Sequence, residues 1–296
     1  MKLMTSTNIY FERTNEDLIP VDECFKYCAE VGYRELDFGF VEFAMVSEQF
    51  QTEEWKHELA QLELLSQSLG LKISQAHATI FDFCIQPENQ VQESLFKRSI
   101  EGAKLLGARW IVVHPSTGIS NGEFDPTTHE KNVAFFQRYA EFAAQIGIGI
   151  AIENMWGTTK ELIPRYAIHP EELLQLLEDI NCDNVRLCWD VEHASLENIS
   201  NRRAIILLKD YLVATHISDE LGPNNIHTLP YLGKVDWEEI LDVLAEIRYE
   251  GTFDFEIQHY LRSVPKDLIL PAMKLSYQVG QFMIRRFNFL SGRQEP

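Results

Sequence analysis

The feature that most constrains this chain is an alternation of short apolar, β-branched runs with longer amphipathic stretches, repeated eight times over 296 residues. The candidate strands are Lys2–Ser6, Glu35–Phe38, Lys72–Gln75, Trp110–Val113, Gly149–Ile152, Arg186–Trp189, Leu212–Ile217 and Thr252–Ile257. Apolar residues at helical spacing predict helices over Asp22–Glu30, Glu53–Leu69, Glu93–Leu106, His129–Ile146, Pro170–Asp179, Asn201–Asp210, Asp236–Ile247 and Pro265–Arg285. Gly70 and Gly107 follow helical runs where a left-handed cap is wanted, and Pro170 with Glu171 and Glu172 suits a first helical turn. Strand then helix in repetition is the mark of a parallel sheet with crossover helices. Eight repeats predict a closed (β/α)₈ barrel in a single domain over residues 1–296, the alternative being an open doubly wound sheet. The long loops Gln86–Gln90, Thr117–Thr128, Asn154–His169 and Ser218–Val235 all follow strands. In a barrel they would share the C-terminal face, where active sites sit.

Four successive candidate strands end on side chains with chemistry. Ile150-Ala151-Ile152 runs into Glu153, Leu187-Cys188-Trp189 into Asp190, Val213-Ala214-Thr215 into His216, and Phe253-Asp254-Phe255 into Glu256. Taken singly, each could be a helix cap or a solvated loop residue. In a closed barrel they converge on one point, where three carboxylates and an imidazole would repel unless a cation neutralises them. Mostly oxygen ligands suit Mn²⁺, Mg²⁺ or Co²⁺, with Zn²⁺ a further fit.

More histidines follow the strands: His77 and His114 at strand ends, His193 three residues after Asp190, and His227 in a long loop. Each reads either as a histidine bonded to backbone or as a substrate or metal contact. His57, His129 and His169 sit in helical or loop surroundings and read as solvated. Trp156, Phe38, Phe81 and Trp189 are available to wall a sugar pocket or to serve as ordinary core and rim aromatics.

The segments Ile-Glu-Asn at 152–154, Trp-Asp-Val-Glu-His-Ala at 189–194, Thr-His-Ile-Ser-Asp at 215–219 and Phe-Glu at 255–256 resemble the xylose isomerase-like superfamily. This group includes sugar isomerases and epimerases, inosose dehydratases and endonuclease IV. The resemblance runs from Glu35-Leu36-Asp37 to Glu256. It implies that Glu153, Asp190, His216 and Glu256 hold one catalytic metal, often Mn²⁺. It also implies that His193 contacts substrate and that His77 and His114 line the pocket. His227, in the long loop after the seventh strand, and Trp156, as an apolar wall, are expected as further substrate contacts. Ketose 3-epimerases of this kind carry an arginine six residues after the seventh-strand histidine, where this chain has Gly222. Endonuclease IV carries an aspartate two residues before its last histidine, where this chain has Asn225.

The expected activity is isomerisation or epimerisation of a small sugar or sugar-like polyol, with Glu153 and Glu256 as the acid/base pair. Alternatives are dehydration of an inosose, abasic-site phosphodiester cleavage and a catalytically silent sugar-binding barrel. A net charge of −19 argues against nucleic acid and against an anionic membrane as partners. Five scattered cysteines without a CxxC, and no apolar leader at the start, predict free thiols and a cytoplasmic protein. A homo-oligomer is compatible with all of this. No nucleotide-binding glycine motif and no nucleophile elbow are present.

Overall fold

A computed structural model describes residues 1–7, 13 and 19–293. The strands are β1 (Lys2–Ser6), β2 (Glu35–Gly39), β3 (Lys72–His77), β4 (Trp110–Val113), β5 (Ile119–Ser120), β6 (Glu123–Phe124), β7 (Gly149–Glu153), β8 (Val185–Asp190), β9 (Leu212–Ile217) and β10 (Thr252–Phe255). Eight of them close a parallel barrel in the order β1-β10-β9-β8-β7-β4-β3-β2, while β5 and β6 form a separate small hairpin. The expected (β/α)₈ barrel is therefore the fold.

The helices are α1 (Val21–Val31), α2 (Phe40–Val46), α3 (Trp55–Ser68), α4 (Gln90–Leu105), α5 (Thr128–Ile146), α6 (Pro170–Ile180), α7 (Val191–Leu196), α8 (Asn201–Leu208), α9 (Trp237–Glu246), α10 (Gln258–Arg262) and α11 (Ile269–Leu290). Seven of the predicted helices lie within three residues of an observed one at each end. The last is displaced: Lys266–Leu268 form a separate turn and α11 runs on to Leu290. Three short helices that directly follow strands, α2, α7 and α10, have no counterpart in the periodicity. They are too short to carry one.

Strand alternation partitions the core. Ile150, Ile152, Leu187, Phe253 and Phe255 point outward into the main apolar layer beneath the helices. The inward positions are small, and Val112, Ala151, Cys188 and Ala214 form a compact plug inside the barrel. Two residues further along each strand the inward side chain emerges at the barrel mouth, so Ala151 predicts the direction of Glu153, Cys188 that of Asp190 and Ala214 that of His216. Among the described residues, no helix is long and apolar enough to cross a membrane. All five cysteines are free thiols.

Three aromatic candidates follow the core reading rather than the pocket one. Trp189 is fully buried and its indole N–H donates to Asn201 Oδ1 at 2.7 Å. Phe38 packs edge-on against Phe25, Phe40 and Phe43. Phe81 sits among Phe83, Phe96 and Phe135. The first two stand at outward strand positions, which face helices and not the mouth.

Candidate functional site

Register brings the strand ends level. Asp190 pairs with His216 between β8 and β9, and Asp254 with His216 between β9 and β10. Glu256 follows β10, and its backbone N–H donates to Ile217 O at 3.2 Å. As a result the donor atoms of Glu153, Asp190, His216 and Glu256 all lie within 4.8 Å of one another. His216 Nδ1 is 2.8 Å from Glu153 Oε1 and 3.2 Å from Glu256 Oε2.

Asp190 shows how local structure aims a side chain. It caps α7, with Oδ1 accepting the backbone N–H groups of Glu192 at 2.7 Å and His193 at 2.8 Å. Its Oδ2 is buried without a hydrogen-bond partner, turned to the side where the other donors meet. A buried, unpartnered carboxylate oxygen among two further carboxylates and an imidazole is the donor set a hard divalent cation requires, so these four residues fit a metal.

A trio, His77, His114 and Glu153, adjoins this group of four and shares Glu153 with it. His77 Nδ1 donates to Ala78 O at 2.9 Å, which leaves Nε2 facing Glu153 Oε2 at 3.3 Å. His114 Nε2 lies 3.2 Å from the same oxygen and 3.1 Å from His77 Nε2. His77 is thus backbone-bonded on one nitrogen and faces Glu153 with the other. His193 donates from Nδ1 to Asn154 O at 2.8 Å, leaving Nε2 buried and 3.5 Å from Asp190 Oδ2. Trp156 stacks on that imidazole, with ring centroids 4.0 Å apart. His227 holds a left-handed φ of 51°, fixed by its backbone N–H donating to Glu192 Oε1 at 2.6 Å, with ring Nδ1 3.1 Å from Glu192 Oε2.

The charges in the site settle by competition. Burial alone would raise Glu153, but His216, His114 and His77 outweigh it and hold the carboxyl well below its usual range. Glu256 is depressed in the same way, burial being overcome chiefly by His216. Asp190 goes the other way, raised by burial and by Glu153. His193 and His227 are pushed down by burial to about 3 and about 4, so both rings are neutral near pH 7.

A cavity of about 270 Å³ opens above this centre, lined by Glu153, Glu256, His77, His114, His193, His227 and Trp156 among others. Asp190 and His216 are wholly buried behind its wall. His57, His129 and His169 lie elsewhere. His57 bonds Gln61, His129 bridges Tyr166 Oη and Asp179, and His169 caps α6.

Sequence reasoning missed a polar layer next to His216. Gln75 Nε2 donates to Asp37 Oδ2 at 2.6 Å and lies 3.3 Å from His216 Nε2, while Thr252 Oγ1 donates to Gln75 Oε1 at 2.6 Å. Asp254 is buried beside them and strongly raised, first by burial and then by Asp37. The signal was present: an aspartate flanked by large apolar residues mid-strand, as in Leu36-Asp37-Phe38 and Phe253-Asp254-Phe255, must face into a barrel. Glu42 and Glu192, both buried near the cavity, were also passed over.

A closed parallel barrel with carboxylates and histidines converging at its C-terminal mouth defines a class of (β/α)₈ barrel proteins with a polar, titratable mouth. Residues 25–276 match the family described as xylose isomerase-like TIM barrel, and the chain belongs to that family. It is 28% identical over 178 residues to an uncharacterized protein of Methanocaldococcus jannaschii, covering 58% of each. It is 26% identical over 166 residues to an L-ribulose 3-epimerase of a Methylomonas species, covering 53% of this chain and 51% of that protein. The chain spans about half the length of the curated relatives it matches. A crystal structure of a D-tagatose 3-epimerase-like protein superposes with a TM-score of 0.73 over 97% of this chain and 99% of that one; at 20% identity, this likeness shows the shared fold.

Proposed function

We propose that the protein is a divalent-metal-dependent isomerase or epimerase of a small sugar or sugar-like polyol, acting in the cytoplasm. The observation that carries this reading is the convergence of Glu153, Asp190, His216 and Glu256 beneath one cavity, which Glu153 and Glu256 line. The epimerase names of the Methylomonas relative and of the superposed crystal structure support it.

Glu153, Asp190, His216 and Glu256 would hold the cation, Mn²⁺ being our first choice and Mg²⁺, Co²⁺ or Zn²⁺ the others. Bound there, it would supply Lewis acidity, making the C–H between two adjacent substrate oxygens easier to deprotonate. Glu153 and Glu256 come from strands three places apart around the ring, and both carboxyls are held in the ionised form a base needs. One removes the proton from one face of the carbon; the other, having first taken a proton from solvent, gives it to the opposite face, which inverts the centre, and exchange with water then restores both glutamates. The neutral rings of His193 and His227, with His77 and His114, offer hydrogen bonds to hydroxyls, and Trp156 gives an apolar surface for the C–H face of the sugar. Dehydration by the same base would change product mass by one water, so product analysis separates the lyase from the isomerase.

The test is turnover of a ketose panel in D₂O with Mn²⁺. Proton exchange through the two glutamates labels the inverted carbon with deuterium. Glu153→Gln and Glu256→Gln should each lower the rate by about 10²–10⁴-fold. Efficient turnover with no solvent label contradicts the two-carboxylate scheme and points to a hydride shift.

A further inference from the structure

The cavity has a third carboxyl that the scheme above does not use. Glu42 stands in α2, directly after β2, and lines the same space as Glu153 and Glu256. It is only 8% exposed, and among the described residues its carboxyl hydrogen-bonds nothing but its own backbone N–H. No lysine or arginine lines the cavity among the described residues. The stretches 8–12 and 14–18 contain none either, and Arg13 donates its guanidinium to the carbonyls of Leu261 and Val264.

We propose that Glu42 is a specificity-determining residue that hydrogen-bonds a substrate hydroxyl, and that the cavity it lines takes an uncharged, unphosphorylated sugar. This rests on the isomerase or epimerase reading and narrows its substrate class. Burial raises the Glu42 carboxyl to about 7 against its own backbone N–H and His77, which lower it, and Glu256 and Asp37 add to the rise, so both of its forms are populated near neutrality. A hydroxyl serves either form, donating to the carboxylate or accepting from the acid. A phosphate ester has no such match. It would have to shed water beside three carboxyls, with no guanidinium or ammonium to replace that water, and the His77 imidazolium, held against burial up to about 9 by Glu153, already faces Glu153 Oε2 at 3.3 Å.

The experiment compares kcat/KM, with Mn²⁺ present, for free ketopentoses and ketohexoses against their terminal phosphate esters. The wild type, Glu42→Gln and Glu42→Leu are measured in parallel, with thermal melts to confirm folding. The wild type should favour the free sugar by about 100-fold or more, the scale set by leaving a charged group buried and unpaired. Glu42→Leu should lose about 10-fold or more in kcat/KM, mostly through KM, while Glu42→Gln, which keeps a donor and an acceptor, stays within about threefold of wild type. Equal or better turnover of the phosphate ester overturns the inference, as does a folded Glu42→Leu variant with wild-type kinetics. A wild type inactive on every ketose, free or phosphorylated, overturns the isomerase or epimerase reading itself, and this inference with it.

Discussion

Glu192 holds His227 through two contacts, one to the backbone N–H and one to the ring, and so keeps a histidine in a left-handed conformation at the edge of the cavity. That position costs the carboxyl its solvent. Burial, then the nearby Asp190, raises Glu192 to about 10 from an ordinary value of 4.5. Between those two values the folded chain keeps a proton that the unfolded chain releases, so raising the pH favours unfolding. Glu192→Gln is neutral at every pH and removes this liability. In protein stripped of metal with EDTA, the variant should gain stability relative to wild type as pH rises from 5 to 9. Denaturant unfolding at several pH values measures this, and parallel stability curves for the two proteins would contradict it.

Among the elements, β7 bears most on the site because it carries Glu153, which joins the His77–His114 pair to the group formed with Asp190, His216 and Glu256. Its first residue, Gly149, lies beneath the Trp110 ring of the adjacent β4, where a Cβ would collide with the indole. Gly149→Ala should therefore shift the strand or the ring and cost about 1–3 kcal/mol, read from the urea midpoint. An unchanged midpoint would mean that the ring moves aside freely. The strands were legible because each is a short apolar run, and Glu153, Asp190 and His216 were legible because they end such runs. Asp37 and Asp254 were hidden because they interrupt runs instead of ending them, and Gln75, although it ends a run, because an uncharged amide carries no sign of metal or acid/base chemistry. Glu42 was hidden because α2 is too short to show a period. Phe38 and Trp189 misled because aromatics beside a strand end look the same in sequence whichever face they occupy, and only the register assigns them to the outer layer.

At the scale of the whole molecule, closure of the sheet leaves the barrel without an exposed edge and turns four ordinary strand ends into one site. The same closure concentrates negative charge at the mouth of a chain that already carries a net −19. That balance favours capture of a cation. The account therefore stands or falls on the metal. Protein dialysed against Mn²⁺ and then freed of excess should contain about one divalent ion per chain by elemental measurement, and Asp190→Ala, which removes the unpartnered carboxylate oxygen, should lose it while the barrel still folds. Full occupancy in Asp190→Ala, or no bound metal in the wild type, would contradict the claim that Glu153, Asp190, His216 and Glu256 form the catalytic centre.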